Sequence, residues 1–428
     1  MQQRILIVGA NGFIGQILLQ HLHAAGHHVT ACVRHAQLYR RAHPSLPVIE
    51  ADYTTHVDAE QWLPLVQGYD VVINAVGIIR ERGANTFAQI HTRGPIALFD
   101  AAVSAGVKRI IQISALGSDA SAQTLFHLSK RAADDHLAAM ECDWLVLRPS
   151  LVYGQGCKSA TLFKAVAALP LIPVAGNGNQ PVQPVAVEDL ARIVQSFVEG
   201  KIAPRQRIDV VGARAITLRE MFGYYRHWLE LGTPRFIAIP EKLALCVAHR
   251  LGLFGIAAPG DEALALLRRG NIADATLLHQ QTGIATLAMY EALMRSPAQQ
   301  PDRWHARLYF LQPLLRITLG VMWLWTALVS AGLYPIEQSL ALLAEVGLKG
   351  TAAMVALVSA TLLDLLLGLA LLLKRHVKAA AWVQVAAMAS YSLIIVWALP
   401  EYWLHPFGPL IKNLPLLVAT LTLIAMEE

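Results

Sequence analysis

The chain is 428 residues long, 55 % hydrophobic and only 15 % charged, against about 25 % charged in an average soluble domain, which excludes a disordered or highly charged protein. With 35 basic and 30 acidic residues the formal charge is +5, too small and too dispersed for a nucleic-acid partner. Cys32, Cys142, Cys157 and Cys246 form no close pair and the sixteen histidines no HxxxH set, so buried thiols in a reducing compartment are expected, with no metal.

Arg4–Val8 reads as a short apolar strand, followed by Gly9-Ala-Asn-Gly12-Phe-Ile-Gly15 and a helix over Gln16–Ala25. Arg4 before an apolar run resembles a secretory leader, but Asn11 and three glycines interrupt the run, which favours a folded domain that stays in the cytosol. A strand, a glycine-rich turn and a helix start bring backbone N–H groups and the positive helix end onto a pyrophosphate. Gly9 permits the tight turn, Gly12 the approach of phosphate, and Gly15 close packing of helix on strand. Further strands are expected at Val29–Val33, Val48–Ala51, Val71–Ala75, Arg109–Ser114 and Trp144–Leu147, alternating with helices, the pattern of a doubly wound parallel sheet. After the second strand, where an acid would bind the ribose of NAD, stands Arg34. An arginine there suits the 2′-phosphate of NADP, so NADP(H) is expected over NAD(H); a solvated arginine at a strand end is the alternative.

Gly9-xx-Gly12-xx-Gly15, Ala51-Asp52, Asn74-Ala-Val-Gly77, Gln112-Ile-Ser114, Leu147-Arg-Pro-Ser-Leu-Val-Tyr-Gly154 and Pro184-Val-Ala-Val-Glu-Asp-Leu190 follow one another along the chain. In that order they resemble the extended or atypical short-chain dehydrogenase/reductases (SDRs), nearest the branch of the NADPH-binding accessory subunit of mitochondrial complex I. The resemblance covers about residues 1–295. It implies a Rossmann-type domain over 1–150, with a small α+β substrate lobe over 151–295. The dinucleotide would lie on Gly9, Asn11, Gly12, Phe13, Ile14 and Gly15, with its adenosine end at Arg34, Asp52 and Tyr53. It would run along Asn74, Ala75, Val76 and Gly77 to a nicotinamide faced by Pro149 and Val152, with Lys130 on the nicotinamide ribose.

That family's catalytic set is a Ser, a Tyr and a Lys four residues after the Tyr. Ser114 and Lys130 fit, but Phe126 stands at the Tyr position of Phe126-His-Leu-Ser-Lys130, and Phe has no proton to give. Two readings stay open: NADP(H) is held as a structural or sensing ligand, or hydride still moves and His127, Ser129, Tyr153 or a substrate hydroxyl handles the proton. His127, turned about 100° from Phe126, is expected to point away. Gly154–Lys158 and Gly176–Gln180 read either as substrate loops or as ordinary turns.

Ser296–Arg307 reads as a polar linker. Beyond it, residues 308–428 hold six basic and six acidic groups, so the whole net charge lies before Leu308. Four apolar stretches, Leu308–Leu333, Thr351–Leu373, Ala379–Leu399 and Phe407–Met426, approach or exceed the roughly 20 residues that span a bilayer. They predict an all-α four-helix membrane domain, similar to the DoxX-like proteins in span number and length. Arg303 and Arg307, and Lys374, Arg375 and Lys378, put both termini in the cytoplasm of a cell with an inner membrane. Arg316 and Asp364 lie at matched depths and are expected to pair, with Gln384 near that level. The partners expected are a nicotinamide dinucleotide, the bilayer, and a quinone, an isoprenoid or another membrane redox protein.

Overall fold

The structure is a computed structural model and describes residues 2–243, 246, 250, 270–404, 408 and 410–427. They form two compact units, the first reaching Ala306 and the second continuing from Arg307.

The first unit is built on a seven-stranded sheet. β1 (Arg4–Val8), β2 (His28–Val33), β3 (Val48–Glu50), β4 (Val71–Asn74), β5 (Arg109–Ile113) and β6 (Asp143–Pro149) lie within one or two residues of the expected strands. All neighbours run parallel, in the order β3-β2-β1-β4-β5-β6 and then a strand at Gln206–Val210. Aliphatic residues dominate because both faces are covered. Ile5 and Ile7 face a core shared with Leu18, Leu22, Ile193 and Phe197, whereas Leu6 and Val8 face Trp62, Phe99 and Leu98 on the other side, the period-two alternation of a strand. β1 pairs with β2 through Ile5 and Val29 and with β4 through Ile5 and Val71. The strand order reverses there, and the crevice beyond those carboxyl ends is where such sheets bind ligands.

The helices of this half are α1 (Phe13–Ala24), α2 (Ala36–Ala42), α3 (Ala59–Val66), α4 (Gly94–Ser104) and α5 (Leu125–Ala138), with a π-helical turn over Ala88–Arg93 leading into α4. The chain then makes the short strands β7 (Val152–Tyr153), β8 (Ile172–Ala175), β9 (Pro181–Val182) and β10 (Val185–Ala186), the sheet strand β11 (Gln206–Val210), and β12 (Ile216–Thr217) and β13 (Phe236–Ile239). Helices α6 (Lys158–Ala168), α7 (Val187–Val198) and α8 (Leu218–Trp228) lie among them. The segment from Leu151 onward is therefore not wholly a separate lobe, since β11 extends the main sheet beside β6, with Ile208 opposite Leu147. The Gly176–Gln180 stretch is a turn held by its own contacts, Asn177 Oδ1 accepting from Asn179 N and Gln180 Nε2 donating to Ala175 O. The polar stretch before the second unit is helical over Gln300–Leu308; its Asp302 pairs with Lys164 at 3.5 Å, and Ala306 is buried with Leu229.

In the second unit three helices are long and apolar enough to cross a membrane: Leu311–Leu333, whose last turn is π-helical, Thr351–Leu372 and Val377–Ala398. At 1.5 Å per residue, 22 residues cover about 33 Å, against about 30 Å of hydrocarbon. A shorter apolar helix, Asn413–Met426, follows; Phe407, where a fourth span was expected to begin, lies outside the described residues. The connection between the first two helices holds a helix that the hydropathy reading passed over, Ile336–Glu345, with no buried residue. Leu314, Val321, Trp325, Leu366, Trp382 and Leu393 are exposed, as lipid-facing side chains are.

The expected pairing of Arg316 with Asp364 is not present. Arg316 Nη1 donates to the carbonyl oxygen of Leu371 and, at 3.5 Å, to that of Leu372. Asp364 is seven residues from Leu371, about 10 Å along the helix axis. The register between the two helices explains the difference. Gly320 and Gly368 cross so closely that a Cβ on Gly368 would lie 2.9 Å from Gly320 O. That crossing sets Arg316 beside the end of the second helix, whose last carbonyls lack helical partners and carry the negative end of its dipole.

Candidate functional site

At the end of β1 the chain turns through Gly9, whose φ of +85° suits only glycine, and a Cβ there would strike Val76 Cγ2 at 2.8 Å. Gly12 N donates to Gly9 O at 2.9 Å and caps α1. A Cβ on Gly15 would lie 2.2 Å from Gly9 O, so α1 can start this close to the strand only with glycine at that position. The result is a helix N-terminus without side chains between its N–H groups and a cavity of about 360 Å³. The walls include Gly9, Asn11, Gly12, Arg34, Asp52, Tyr53, Ala75, Val76, Gly77 and Lys158. The bare cradle fits a pyrophosphate, and Arg34 and Lys158 supply the cations at its rim.

The residues expected at the adenosine end are fixed from beneath. Tyr53 Oη donates to Asn74 Oδ1 at 2.9 Å, Asn74 Nδ2 donates to Gln112 Oε1 at 2.7 Å, and Val76 N donates to Asn74 Oδ1 at 3.1 Å. This buried chain clamps the end of β4 in one conformation. Asp52 Oδ1 accepts from Thr54 N at 2.9 Å, and exposed Arg34 reaches, among the described residues, only Asn85 Oδ1, at 3.5 Å. Of the other residues expected on the cofactor, Ile14 packs into the core beside β1, and Phe13 turns its ring toward Gly154. Pro149 closes β6 and Val152 opens β7.

Farther along, Lys130 lies beside Phe126 and below the end of β5, and Ser114 reaches Asp134 on the same helix as Lys130. Lys130 Nζ donates to Ile113 O at 3.1 Å, lies 6.0 Å from the centre of the Phe126 ring, and would be 3.4 Å from a Cβ on Gly77. Burial brings the Lys130 ammonium down to about 8, against the opposing pull of Asp134. Asp134, one helical turn beyond Lys130, accepts the hydroxyl hydrogen bond of Ser114. Its carboxyl is pushed up to about 6 by burial, with Ser114 and Lys130 acting in the other direction.

Of the groups considered as substitute proton donors, His127 and Ser129 are engaged with protein partners, whereas buried Tyr153 Oη has no hydrogen-bond partner among the described residues. His127 is buried, with Nε2 3.1 Å from Leu116 O and Nδ1 3.0 Å from Thr124 Oγ1, so it points away as its helical position implied. Ser129 Oγ donates to Phe126 O and meets His91 Nδ1 at 3.1 Å. Tyr153 is buried in the core of the lobe, on the opposite face of β7 from Val152. Cys157 is buried and Cys32 too, whereas Cys246 is exposed, contrary to a uniform set of buried thiols.

Three residues at this site were not picked out from the sequence. His91 accepts from Ile78 N through Nε2 at 3.0 Å, which leaves its proton on Nδ1; burial and the neighbouring Lys130 bring it down to about 2, so it stays neutral. Asp134 had a readable signal, four residues after Lys130 and thus on its helix face. Lys158 had none, because its approach to the cleft depends on how α6 packs.

Residues 9–165 match the NAD(P)H-binding family and residues 320–421 the DoxX-like family. The head is an NAD(P)H-binding domain of the SDR type, joined to a DoxX-like membrane domain. A ceramide reductase of Caulobacter vibrioides is 27 % identical over 243 residues, 55 % of this chain and 74 % of that protein. Subunit 9 of the rat mitochondrial NADH dehydrogenase [ubiquinone] 1 alpha subcomplex is 24 % identical over 242 residues, 54 % of this chain and 64 % of that subunit. Among solved structures, an NADPH-dependent quinone oxidoreductase from Escherichia coli, complexed with NADPH, superposes with a TM-score of 0.53 at 18 % identity. That alignment covers 68 % of this chain and 99 % of the other. The Bordetella bronchiseptica enzyme WbmG, in complex with NAD, gives 0.53 at 17 %, over 72 % and 96 %. At these identities the two structures speak for the Rossmann-type fold.

Proposed function

We propose that this protein is a membrane-anchored NADP(H)-binding protein whose head holds the dinucleotide without the tyrosine-dependent chemistry of its family. The observation that carries this reading is Phe126, whose buried ring lies 6.0 Å from Lys130 Nζ and has no hydroxyl of its own to offer where the family's tyrosine would stand. Ser114 gives its hydrogen bond to Asp134, and His91, His127 and Ser129 are all committed to protein partners. Gly9, Gly12 and Gly15 receive the pyrophosphate, Asp52 and Tyr53 the adenosine, and Asn74–Gly77 the middle of the cofactor. Arg34, assisted by Lys158, favours the 2′-phosphate of NADP(H) over NAD(H). Lys130 takes the nicotinamide ribose, with Pro149 and Val152 on the nicotinamide. A bound NADPH supplies a hydride; what this chain's residues do is bind, orient and exclude water. The membrane domain makes four passes of an inner membrane with both termini cytoplasmic, because the basic turn Lys374–Lys378 resists translocation.

A second reading is favoured by Lys130 itself, a buried ammonium with one carbonyl acceptor that could protonate a substrate oxygen directly. The protein is then a reductase of a lipid-soluble carbonyl compound, such as a quinone or an isoprenoid; the similarity to a ceramide reductase supports a lipid. Purified full-length protein in detergent decides between them. Nucleotide retained without steady NADPH oxidation, in the presence of decylubiquinone or a long-chain ketone, is the result expected. Steady turnover with either compound refutes the binding reading and supports the reductase.

A further inference from the structure

With Arg316 engaged at the end of the second membrane helix, Asp364 is left without a charged partner among the described residues. Asp364 Oδ1, both polar side-chain atoms of Gln384, and Trp323 Nε1 have no hydrogen-bond partner among the described residues. The three residues are at most 4 % exposed. They stand on three different helices at one height. Asp364 is eight residues before Leu372 and Gln384 seven after Val377, the two ends of a short turn, so at 1.5 Å per residue they lie about 12 and 10 Å above it. Arg316 marks the same level on the first helix, through its bond to Leu371 O, and Trp323, seven residues further, rises about 10 Å. Leu319, Trp323, Leu367, Leu371 and Met388, on the same three helices, belong to one buried cluster, so these faces meet in the bundle interior.

Unpartnered polar groups at this depth are disfavoured, because hydrocarbon offers no replacement hydrogen bonds. Ionisable residues in such places usually serve a ligand or a proton path. The groups present define the complement. The indole N–H can only donate, the carboxamide both donates and accepts, and the carboxyl oxygen takes a donor. We propose that Trp323, Asp364 and Gln384 form an intramembrane site for the polar end of a lipid-soluble molecule that carries a carbonyl or hydroxyl acceptor next to an O–H or N–H donor. A quinol ring and a hydroxy-amide lipid share that chemistry. Nothing in this site depends on what the head does with its dinucleotide.

The test uses full-length protein in detergent, with decylubiquinol and a C8 ceramide as separate probes and hexadecane as an apolar control. The thermal midpoint is read with and without each probe, for the native protein and for Asp364→Leu, Gln384→Leu and Trp323→Phe. One polar probe should raise the native midpoint in a saturable way while hexadecane does not, and each variant should weaken that probe at least tenfold. Which probe acts identifies the source. Without probe, the leucine variants should keep or raise the midpoint, because an unpartnered buried group has been removed. The proposal is overturned if neither polar probe binds the native protein, or if binding is the same in all variants. It is also overturned if the leucine variants lower the unliganded midpoint sharply, which marks the three groups as a structural network.

Discussion

Replacing Arg34 by Asp should separate the two nicotinamide cofactors. Arg34 follows β2 directly, at the rim of the cleft, exposed and held among the described residues only by Asn85 Oδ1 at 3.5 Å. Its guanidinium therefore has little to give up on meeting a 2′-phosphate. A hydrogen bond to a charged group is worth about 1.5–3 kcal/mol, which corresponds to roughly 10- to 150-fold in affinity. Exposure and salt screening argue for the lower part of that range, and Lys158 on the same cleft keeps some attraction. The aspartate then adds repulsion that alanine does not. NADPH should bind the Arg34→Asp protein about 30- to 100-fold more weakly and Arg34→Ala about tenfold more weakly, at low salt. NADH, with no 2′-phosphate, should change by less than about threefold. Titration by cofactor fluorescence at two ionic strengths measures this, and the NADPH loss should shrink at the higher one. Equal losses for both cofactors would mean that Arg34 supports the fold or the adenine, and equal native affinities would remove its role in selection.

Gly15→Ala should move α1 away from β1, since the added methyl would start 2.2 Å from Gly9 O; overpacking of this kind costs about 1–3 kcal/mol or more, and NADPH affinity should fall with the midpoint. An unchanged midpoint would show that the helix start yields freely. Phe126→Tyr restores a hydroxyl four residues before Lys130, and single-turnover assays with small ketones should then detect carbonyl reduction that the native protein lacks; strong activity in the native protein would contradict the binding reading. Asp134 titrates near 6 in the folded protein, above its ordinary value, so the fold holds that proton more tightly than the unfolded chain and loses this contribution as pH rises from about 4 to 6. Asp134→Asn should therefore gain relative to the native protein between pH 4.5 and 7, by on the order of 2–3 kcal/mol, whereas a pH-independent difference in midpoint would disprove the assignment. Cysteines placed at Glu345 and His376 should react differently with an impermeant thiol reagent added from outside, the first labelled and the second protected; the reverse pattern would invert the topology.

Several features are legible in the sequence alone because they depend on neighbours in the chain. The glycine turn between β1 and α1 is one, since the bare helix start follows from which residues lack a Cβ. The alternation of aliphatic strands with helices announced the parallel sheet, and the absent hydroxyl at Phe126 needed only the spacing to Lys130. The lengths of the first three apolar helices in the second unit were close for the same reason: a helix rises by a fixed amount per residue.

Features that rest on packing between distant segments were not readable. β11 joins the sheet beside β6 from some 60 residues away, a pairing without local signature. Lys158 reaches the cleft, and His91 reaches Ile78 N beneath it, through the way their helices are seated. The membrane helices make the contrast plainest. Depth measured from the ends of apolar runs put Arg316 and Asp364 at one level, because it assumed that both helices enter the bilayer evenly. The close crossing at Gly320 and Gly368 sets the true register, one that brings Arg316 to the carbonyls of Leu371 and Leu372 and leaves Asp364 about two helical turns away. Backbone periodicity is a local property, whereas the offset between two packed helices is decided by the side chains at their point of closest approach.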